Sequence, residues 1–502
     1  MRIRRALIST SDRTGLEELA AGLVELGVTV VCSGGTARVL GRAGIPFTPV
    51  SEVTGMPEML DGRLKTMHPR IHGGILADRR KPHHLAQLKE YGIAPIDLVV
   101  CNLYPFAETV ARPDVTEADA IEQIDIGGPS MVRAAAKNHK WVAVVVSPAR
   151  YPDVLKEMRE RAGALSDETR ARLAAEAFAH TAAYDIAVSR WMSRSDPLSE
   201  KLLLDLERRM TLRYGENPHQ AGAFYTEGEP SWEQLGGKEL SFTNLLDLDA
   251  AWRLVNEFER PAVAIIKHTN PCGVAAAATP EEAYRRALEC DPRSAFGGIV
   301  ACNREVDGPT VKQILDIMTE LVIAPSFSRE ARAGLAQRKN LRVIEAKPFV
   351  RPFEVRSASD GFLVQHVDAP GDPRADMVVV TKNAPAERDW VDLLFAWSVC
   401  KHVKSNAAVF AADEQAVGIG AGQMSRVEAV EIGARRAGER AKGTVCASDG
   451  FFPFRDGLDA AVAAGARAII QPGGSVRDSE VIAAADELGV PMVFTGRRHF
   501  RH

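Results

Sequence analysis

Lys267 and His268 stand side by side at the end of the apolar run "AVAIIKH", and "TNPCG" follows at once. An ammonium beside an imidazole disfavours the imidazolium, so the pair can supply a neutral base and a nearby acid. Neighbours on a strand point to opposite faces, so both reach one pocket only past the strand end. Asn-Pro-Cys-Gly reads as the turn that ends it. A zinc site is a second reading. Zinc nucleoside deaminases carry H-x-E and later P-C-x-x-C. Here His268 is followed by Thr269 and Asn270, and Pro271-Cys272 by Gly273, Val274 and Ala275, so the glutamate and the second cysteine are missing. No other His/Cys cluster offers ligand spacing, and no catalytic zinc is expected. A surface lysine beside a satisfied histidine stays open on these residues alone.

Several N-terminal stretches could hold an anion. "STSD" (9–12) and "SGGT" (33–36) each follow an apolar run and precede a helical pattern. Glycines let backbone N–H groups approach a phosphate, hydroxyls add donors, and the helix N-terminus adds a favourable dipole. "GRLKTMHP" (62–69) contributes Arg63, Lys65 and Thr66. "CNLYPF" (101–106) offers Asn102 and Tyr104 at a strand end. In "EQIDIGGPSMVRAAAKNH" (122–139), Asp125 precedes a glycine pair and a helix carrying Lys137. A carboxylate and an ammonium brought to one pocket there could do general acid–base work. The alternatives are capped turns, a solvated basic loop and an ordinary amphipathic helix.

The C-terminal part has further polar stretches on glycine-broken backbone, among them "RYGENPHQ", "SAFGGI", "KHVKSNA", "GIGAGQMSRV" and "ASDGFFPFRDG". Three phenylalanines and a proline beside an Arg-Asp pair suit a flat ligand with a polar rim.

The elements that must position these residues follow from the rhythm of the chain. "RRALISTSD", "VTVVCSGGT", "IDLVVCNLYPF" and "KWVAVVVSP" read as strands alternating with helices, which predicts a doubly wound α/β domain with ligands beyond the strands' carboxyl ends. Residues 151–195 read as helical. The polar stretch "SRSDPLSEK" (193–201) sets a boundary, giving domains 1–197 and 198–502, with a seam near 350–375 in the second. The 502 residues carry a net charge of −4, which predicts no nucleic-acid or membrane partner. Seven scattered cysteines without a CxxC pair read as reduced thiols of a cytoplasmic protein. No apolar run is long enough to span a bilayer.

In order along the chain, "SGGTA", "GRLKTMHP", "CNLYPF", "QIDIGG", "AAKNH", "RYGENPHQ", "KHTNPCG", "AFGGI", "KSNA", "GAGQMSR", "FFPFRDG" and "QPGGS" closely resemble the bifunctional family of purine biosynthesis that joins 5-aminoimidazole-4-carboxamide ribonucleotide (AICAR) formyltransferase to IMP cyclohydrolase. The resemblance covers essentially the whole chain. It implies an α/β fold: an N-terminal methylglyoxal-synthase-like domain with the cyclohydrolase, and a C-terminal pair of cytidine-deaminase-like subdomains without zinc, bearing the formyltransferase. It also implies a homodimer. The co-substrate would be 10-formyltetrahydrofolate; some family members also hold a monovalent cation such as potassium near the formyltransferase site, and no residue of this sequence fixes one. The formylated intermediate, FAICAR, would then close to IMP with loss of water.

The resemblance also assigns residues. Lys267 and His268 would catalyse formyl transfer. Arg213, Tyr214, Asn406, Phe451, Phe452, Pro453, Phe454, Asp456 and Arg498 would bind nucleotide and folate. In the cyclohydrolase, Asp125 and Lys137 would handle the attacking carboxamide, and Lys65 and Tyr104 the oxyanion. Ser11, Ser33, Gly34, Gly35, Thr36, Arg63 and Thr66 would bind phosphate, and Asn102, Ile126 and Gly127 the base. Arg13 stands where the family usually has lysine; it keeps the charge but replaces a compact ammonium with a planar fork. A protein that only senses phosphates would need the anion turns. It would need neither Lys267-His268 nor Asp125 ahead of a helix bearing Lys137.

Overall fold

The computed structural model describes all residues except Pro197, Val350, Arg351, Ala369 and Pro370, and of Asp61 the backbone alone. The chain divides into two units, Met1–Asp205 and Leu206–His502. The sequence-based boundary after residue 197 falls on a residue outside the described set. No described helix is long and apolar enough to cross a membrane.

In the first unit, β1 (Arg5–Ser9), β2 (Thr29–Cys32), β3 (Thr48–Pro49), β4 (Leu98–Cys101) and β5 (Ala143–Val145) form a parallel sheet of order β3-β2-β1-β4-β5. Strands β1, β2, β4 and β5 bury apolar residues on both faces because helices cover both, whereas β3 is a half-buried Thr-Pro edge. Ile8, Cys32, Val100 and Val145 pack into one core, while Leu7, Val31, Val99 and Val144 pack into the other. The strand order reverses at β1. The crevice beyond the carboxyl ends of β1, β2 and β4 is therefore where such a sheet takes a ligand. Helices Tyr151–Glu160 and Asp167–Met192 follow.

The second unit opens with a small hairpin of β6 (Glu207–Leu212) and β7 (Gly222–Thr226). Its main sheet contains β8 (Trp232–Gly236), β9 (Ala262–Lys267), β10 (Asn270–Ala276), β11 (Gly298–Cys302), β12 (Thr319–Ala324) and β13 (Arg342–Ala346). A separate hairpin, β14 (Phe353–Ala358) with β15 (Gly361–His366), lies in the 350–375 stretch, part of which is outside the described residues. The main sheet continues with β16 (Val378–Val379), β17 (Ala408–Ala412), β18 (Gln415–Gly420), β19 (Val445–Ser448), β20 (Ala468–Gln471) and β21 (Met492–Phe494).

The strand order, β16-β21-β20-β19-β17-β18-β10-β9-β11-β12-β13-β8, is the same arrangement twice. In each half an antiparallel hairpin (β9–β10, β17–β18) pairs antiparallel with a third strand (β11, β19). Two parallel strands and one antiparallel edge strand follow. The halves join where β10 runs antiparallel to β18. Helix Phe242–Val255 precedes β9 as helix Glu387–Lys401 precedes β17.

One local expectation fails. Asn270–Ala276 is a strand, not a turn, and the hairpin turn is His268-Thr269, with φ of 53° and 60°. Pro271 is tolerated because the register shifts between Pro271 and Gly273, at a bulge that needs no ladder N–H from proline. Gly273 is required for another reason: a Cβ there would fall on the Ala287 carbonyl oxygen of the covering helix.

Candidate active sites

In the first unit, Asn102 at the end of β4 ties down the loop after β1. Its Oδ1 accepts the N–H groups of Ser11 (2.6 Å) and Asp12 (2.9 Å), and its Nδ2 donates to the Asp12 carbonyl (2.9 Å). Thr36 Oγ1 accepts the Thr10 N–H at 3.1 Å. Ser33 occupies the N-cap of helix Gly34–Arg42 without capping it, and its buried hydroxyl has no partner among the described residues. Hydroxyl and first-turn N–H groups are thus available to an anion. The Arg13 guanidinium lies against Gly35, where any Cβ would stand, and Lys65 Nζ is 3.6 Å from where a Gly34 Cβ would be.

Asp125 lies next to this cradle. Its Oδ1 accepts the Gly128 N–H at 2.8 Å, and its own N–H donates to the Tyr184 hydroxyl at 2.7 Å, which donates on to the Gln123 carbonyl at 2.8 Å. Burial raises the Asp125 pKa, against the opposing pull of the Gly128 N–H, the Lys65 charge and the Tyr104 N–H. Thr66 is buried beside Gly127, its Oγ1 3.2 Å from where a Cβ would stand, and Tyr104 and Ile126 are exposed.

Two further residues were grouped with these by sequence. Arg63 pairs with Glu122 on the surface. Lys137 ends the 11-residue helix that Gly127 begins, so it is separated from Asp125 by about 15 Å of helix at 1.5 Å per residue. One chain does not bring the two to one pocket.

In the second unit the residues converge on one edge of the main sheet, where β9 and β18 end and β10, β11 and β17 begin. Lys267 Nζ donates to the Phe296 carbonyl at 2.8 Å. Asp247 Oδ1 accepts the Thr269 N–H at 2.6 Å. Positive φ costs a non-glycine residue about 1–2 kcal/mol, so the His268-Thr269 turn is held by tertiary contacts. Asn270 Nδ2 donates to the His268 carbonyl at 3.2 Å, while its Oδ1 accepts the Lys404 N–H at 2.9 Å. Asn406 donates to the carbonyls of Gln423 (2.9 Å) and Met424 (3.1 Å) and accepts from Arg426 (2.7 Å). Buried Asp449 receives Ser405, Arg426 and the Ala407 N–H.

Phe451 and Phe454 are exposed at this edge, with Pro453 half-buried. Phe452 is not part of the wall. It is fully buried in the core against Gly457, and its N–H donates to Gln471 Oε1 at 2.7 Å. Asp456 is exposed at the start of the following helix. Arg498 stacks on Phe500, whose ring also faces Arg426. Arg213 stacks on and donates to Tyr214, near the β6–β7 hairpin. Among the described residues no hydrogen bond or ion pair ties them to Lys267. No group of three or more described His, Cys, Asp and Glu side chains is arranged to hold a metal ion.

Asp247, Asn270, Arg426 and Asp449 were given no role from sequence, although Arg426 and Asp449 lie in the quoted polar stretches. A signal for the first existed in an internal echo: "DLDAAW" (247–252) and "DLLFAW" (392–397) place Asp, Leu, Ala and Trp alike on two equivalent helices.

An anion cradle beside a buried carboxylate on a doubly wound sheet, and a Lys-His turn among polar and aromatic groups on a duplicated sheet, are the two candidate sites. The profile described as AICARFT/IMPCHase bienzyme matches residues 135–436, and that of the MGS-like domain matches residues 15–130. The bifunctional purine biosynthesis protein PurH of Desulfitobacterium hafniense is 52% identical over 518 residues, covering 99% of this chain and all of the relative. PurH of Bacillus cereus is 50% identical over 510 residues, with the same coverage. A solved structure, that of ForH, is 38% identical, covers 38% of this chain and 98% of its own, and has a TM-score of 0.36.

The chain belongs to the AICARFT/IMPCHase bienzyme family. Its members carry out the last two steps of IMP synthesis, formylation of AICAR from a folate-derived donor and cyclisation of the product.

Proposed function

We propose that the first unit closes FAICAR to IMP and that the second unit formylates AICAR from 10-formyltetrahydrofolate. The observation that carries the second assignment is the Lys267-His268 pair, set at a hairpin tip on the sheet edge that also gathers Asn406, Phe451 and Arg498. The 5-amino group of AICAR is a poor nucleophile because its lone pair is delocalised. His268 takes its proton as the N–C bond to the formyl carbon forms. The bond from that carbon to N10 then breaks, and N10 leaves with a proton from Lys267. Arg213, Tyr214 and Arg498 bind the nucleotide. Phe451, Pro453 and Phe454 line the pocket, with Asp456 on the same loop.

In the first unit the substrate brings its own nucleophile and electrophile together, so the site must fix a conformation. Ser11, Ser33, Gly34, Gly35, Thr36 and Thr66 take the phosphate, assisted by Arg13. Asp125, with its raised proton affinity, accepts the carboxamide proton. Lys65 and Tyr104 face the oxyanion, and Ile126 and Gly127 the base. Asn102 serves by holding the Ser11–Asp12 loop. Following the family resemblance, we read the protein as a homodimer, in which Lys137 acts on the substrate of a second copy and Arg63 assists at the phosphate. Buried, unpaired cysteines agree with a cytoplasmic protein. A monovalent cation such as potassium has no assigned ligand: the buried Asp449 carboxylate is already held by Ser405, Ala407 and Arg426.

The test combines AICAR with 10-formyltetrahydrofolate and follows tetrahydrofolate by absorbance and IMP by mass. His268→Ala should slow formyl transfer by about 10²–10⁴-fold, with AICAR binding and FAICAR cyclisation retained. Undiminished transfer would remove His268 as the base. Tight nucleotide binding by the unaltered protein without turnover would favour phosphate sensing.

A further inference from the structure

The duplicated sheet supplies an internal comparison for the His268 turn. In the second half the equivalent turn is Asp413-Glu414, with φ of 52° and 55°. The Glu414 N–H donates to Asp392 Oδ1 at 2.9 Å, as the Thr269 N–H does to Asp247 Oδ1 at 2.6 Å. Asp247 and Asp392 occupy the same position of equivalent helices. The backbone contact is therefore a property of the fold, made whether or not chemistry happens at the turn.

The two carboxylates differ in what neutralises them. Asp392 is paired with Arg467 at 2.8 Å, from the residue just before β20. The residue in the corresponding place, within β12, is Glu320, and it pairs with Arg342 at 2.7 Å. Asp247 has no ion pair among the described residues. It is a largely buried carboxylate aimed at the turn that bears His268. The N–H groups of Thr269 and His268 and the imidazole of His268 all favour its charged form, although burial is the larger influence and raises its pKa.

We propose that Asp247 is a positioning residue for formyl transfer. It fixes the His268-Thr269 turn through the backbone, and its unneutralised charge stabilises the imidazolium that His268 becomes on taking the amine proton. A carboxylate needed only as an acceptor would be served as well by an amide, or paired as Asp392 is. The inference rests on the reading of His268 as the base. The other charged or titratable groups around the turn are Lys267 on the hairpin and Cys272 on β10, and Cys272 is itself influenced by Asp291 and Arg436.

The full-length protein with Asp247→Asn tests this, because asparagine keeps the acceptor oxygen and loses the charge. AICAR KM should stay within about threefold while kcat falls about tenfold. The acid limb of the kcat–pH profile should move about one unit lower, the equivalent of one factor of ten in His268 proton affinity. Cyclisation of FAICAR by the same preparation reports folding of the chain. Asp247→Glu, which keeps the charge, should retain the position of the acid limb. Wild-type kcat with an unmoved limb in D247N would overturn the proposal, as would equal loss of AICAR binding in both variants. If His268→Ala kept formyl transfer, the base assignment would fail instead, on its own evidence.

Discussion

The C-terminal segment is secured by a charge that pH can remove. His499 is buried, with Nδ1 2.6 Å from an Asp368 oxygen and Nε2 2.6 Å from an Asp372 oxygen. Only the imidazolium donates from both nitrogens. Asp372 also accepts from Trp397 Nε1 at 2.7 Å and from Arg497 at 3.3 Å, and the imidazole packs on the Trp397 ring. Burial alone would lower the His499 pKa, but the two aspartates outweigh it and raise it from 6.5 to about 9. That difference corresponds to stabilisation on the order of 3 kcal/mol. The depression of Asp372 to about 2 is the same interaction seen from its partner and is not added. Because the folded pKa is the higher one, the stabilisation is complete below about 6.5 and is lost as pH rises through about 9.

The consequence reaches the edge proposed for formyl transfer, because the His499 N–H donates to the Asp449 carbonyl at 3.1 Å and Arg498 and Phe500 flank it. In His499→Gln the ring charge is gone at every pH. Hydrogen exchange of residues 497–502 in the unaltered protein, corrected for intrinsic rates, should accelerate between pH 7 and 9.5. In the variant it should be fast throughout. Formyl transfer should show the same difference as a rise in AICAR KM, with cyclisation unchanged. The buried thiols do not interfere, since Cys272, Cys290, Cys302 and Cys446 are pushed up to about 12. An H499Q protein whose protection of 497–502 has the same pH dependence as the unaltered protein would refute the clamp.

Two further outcomes follow from the first unit's carboxylate and from the sheet's glycines. Asp125→Asn should lower cyclisation by about 10²–10⁴-fold and leave formyl transfer intact, as measured with FAICAR and AICAR in turn. In the unaltered protein the cyclisation rate should fall with pH through a pKa above the ordinary 3.8, because burial raises the Asp125 carboxyl. Gly273→Ala would press a Cβ onto the Ala287 carbonyl oxygen, a backbone atom that cannot swing aside. It should cost at least about 1–3 kcal/mol, read as a lower melting temperature, whereas Gly236→Ala, with open space around it, should not.

Four of the first unit's five strands were legible because both faces of that sheet are buried, which leaves continuous apolar runs such as "LVVC" and "AVV"; β3, a half-buried Thr-Pro edge, carries no such run. The turn at His268 was not, because its residues are ordinary ones held in a left-handed conformation by Asp247, while Asn-Pro-Cys-Gly, which looks like a turn, is a bulged strand. Phe452 was misjudged for a related reason. Three phenylalanines in a row of four residues cannot all face a ligand, and which one turns inward is decided by Gly457 leaving room for it. Asp125 and Lys137 were expected in one pocket, but the unbroken helix between them keeps them apart within one chain.

A sheet built twice offers two equivalent edges, and the chemistry-bearing residues occupy one. Where His268-Thr269 tops the first hairpin after Lys267, Asp413-Glu414 tops the second after Ala412, and Glu414 is paired with Arg260, which precedes β9. Where Asp449 follows β19, Asn303 follows β11. Each accepts a backbone N–H, from Ala407 and from Ala262 at 2.8 Å, so an oxygen suffices for the fold and an amide supplies it. The charge at Asp449 has a separate use, since it holds Arg426, which in turn orients Asn406. Gly450 then permits Arg426 and Phe500 to close in from a side that Arg304 occupies in the other half. The shared geometry of the two halves therefore accounts for the backbone contacts, and the unmatched charges mark the residues by which the proposed reaction edge differs from the other, where Glu414 is paired with Arg260.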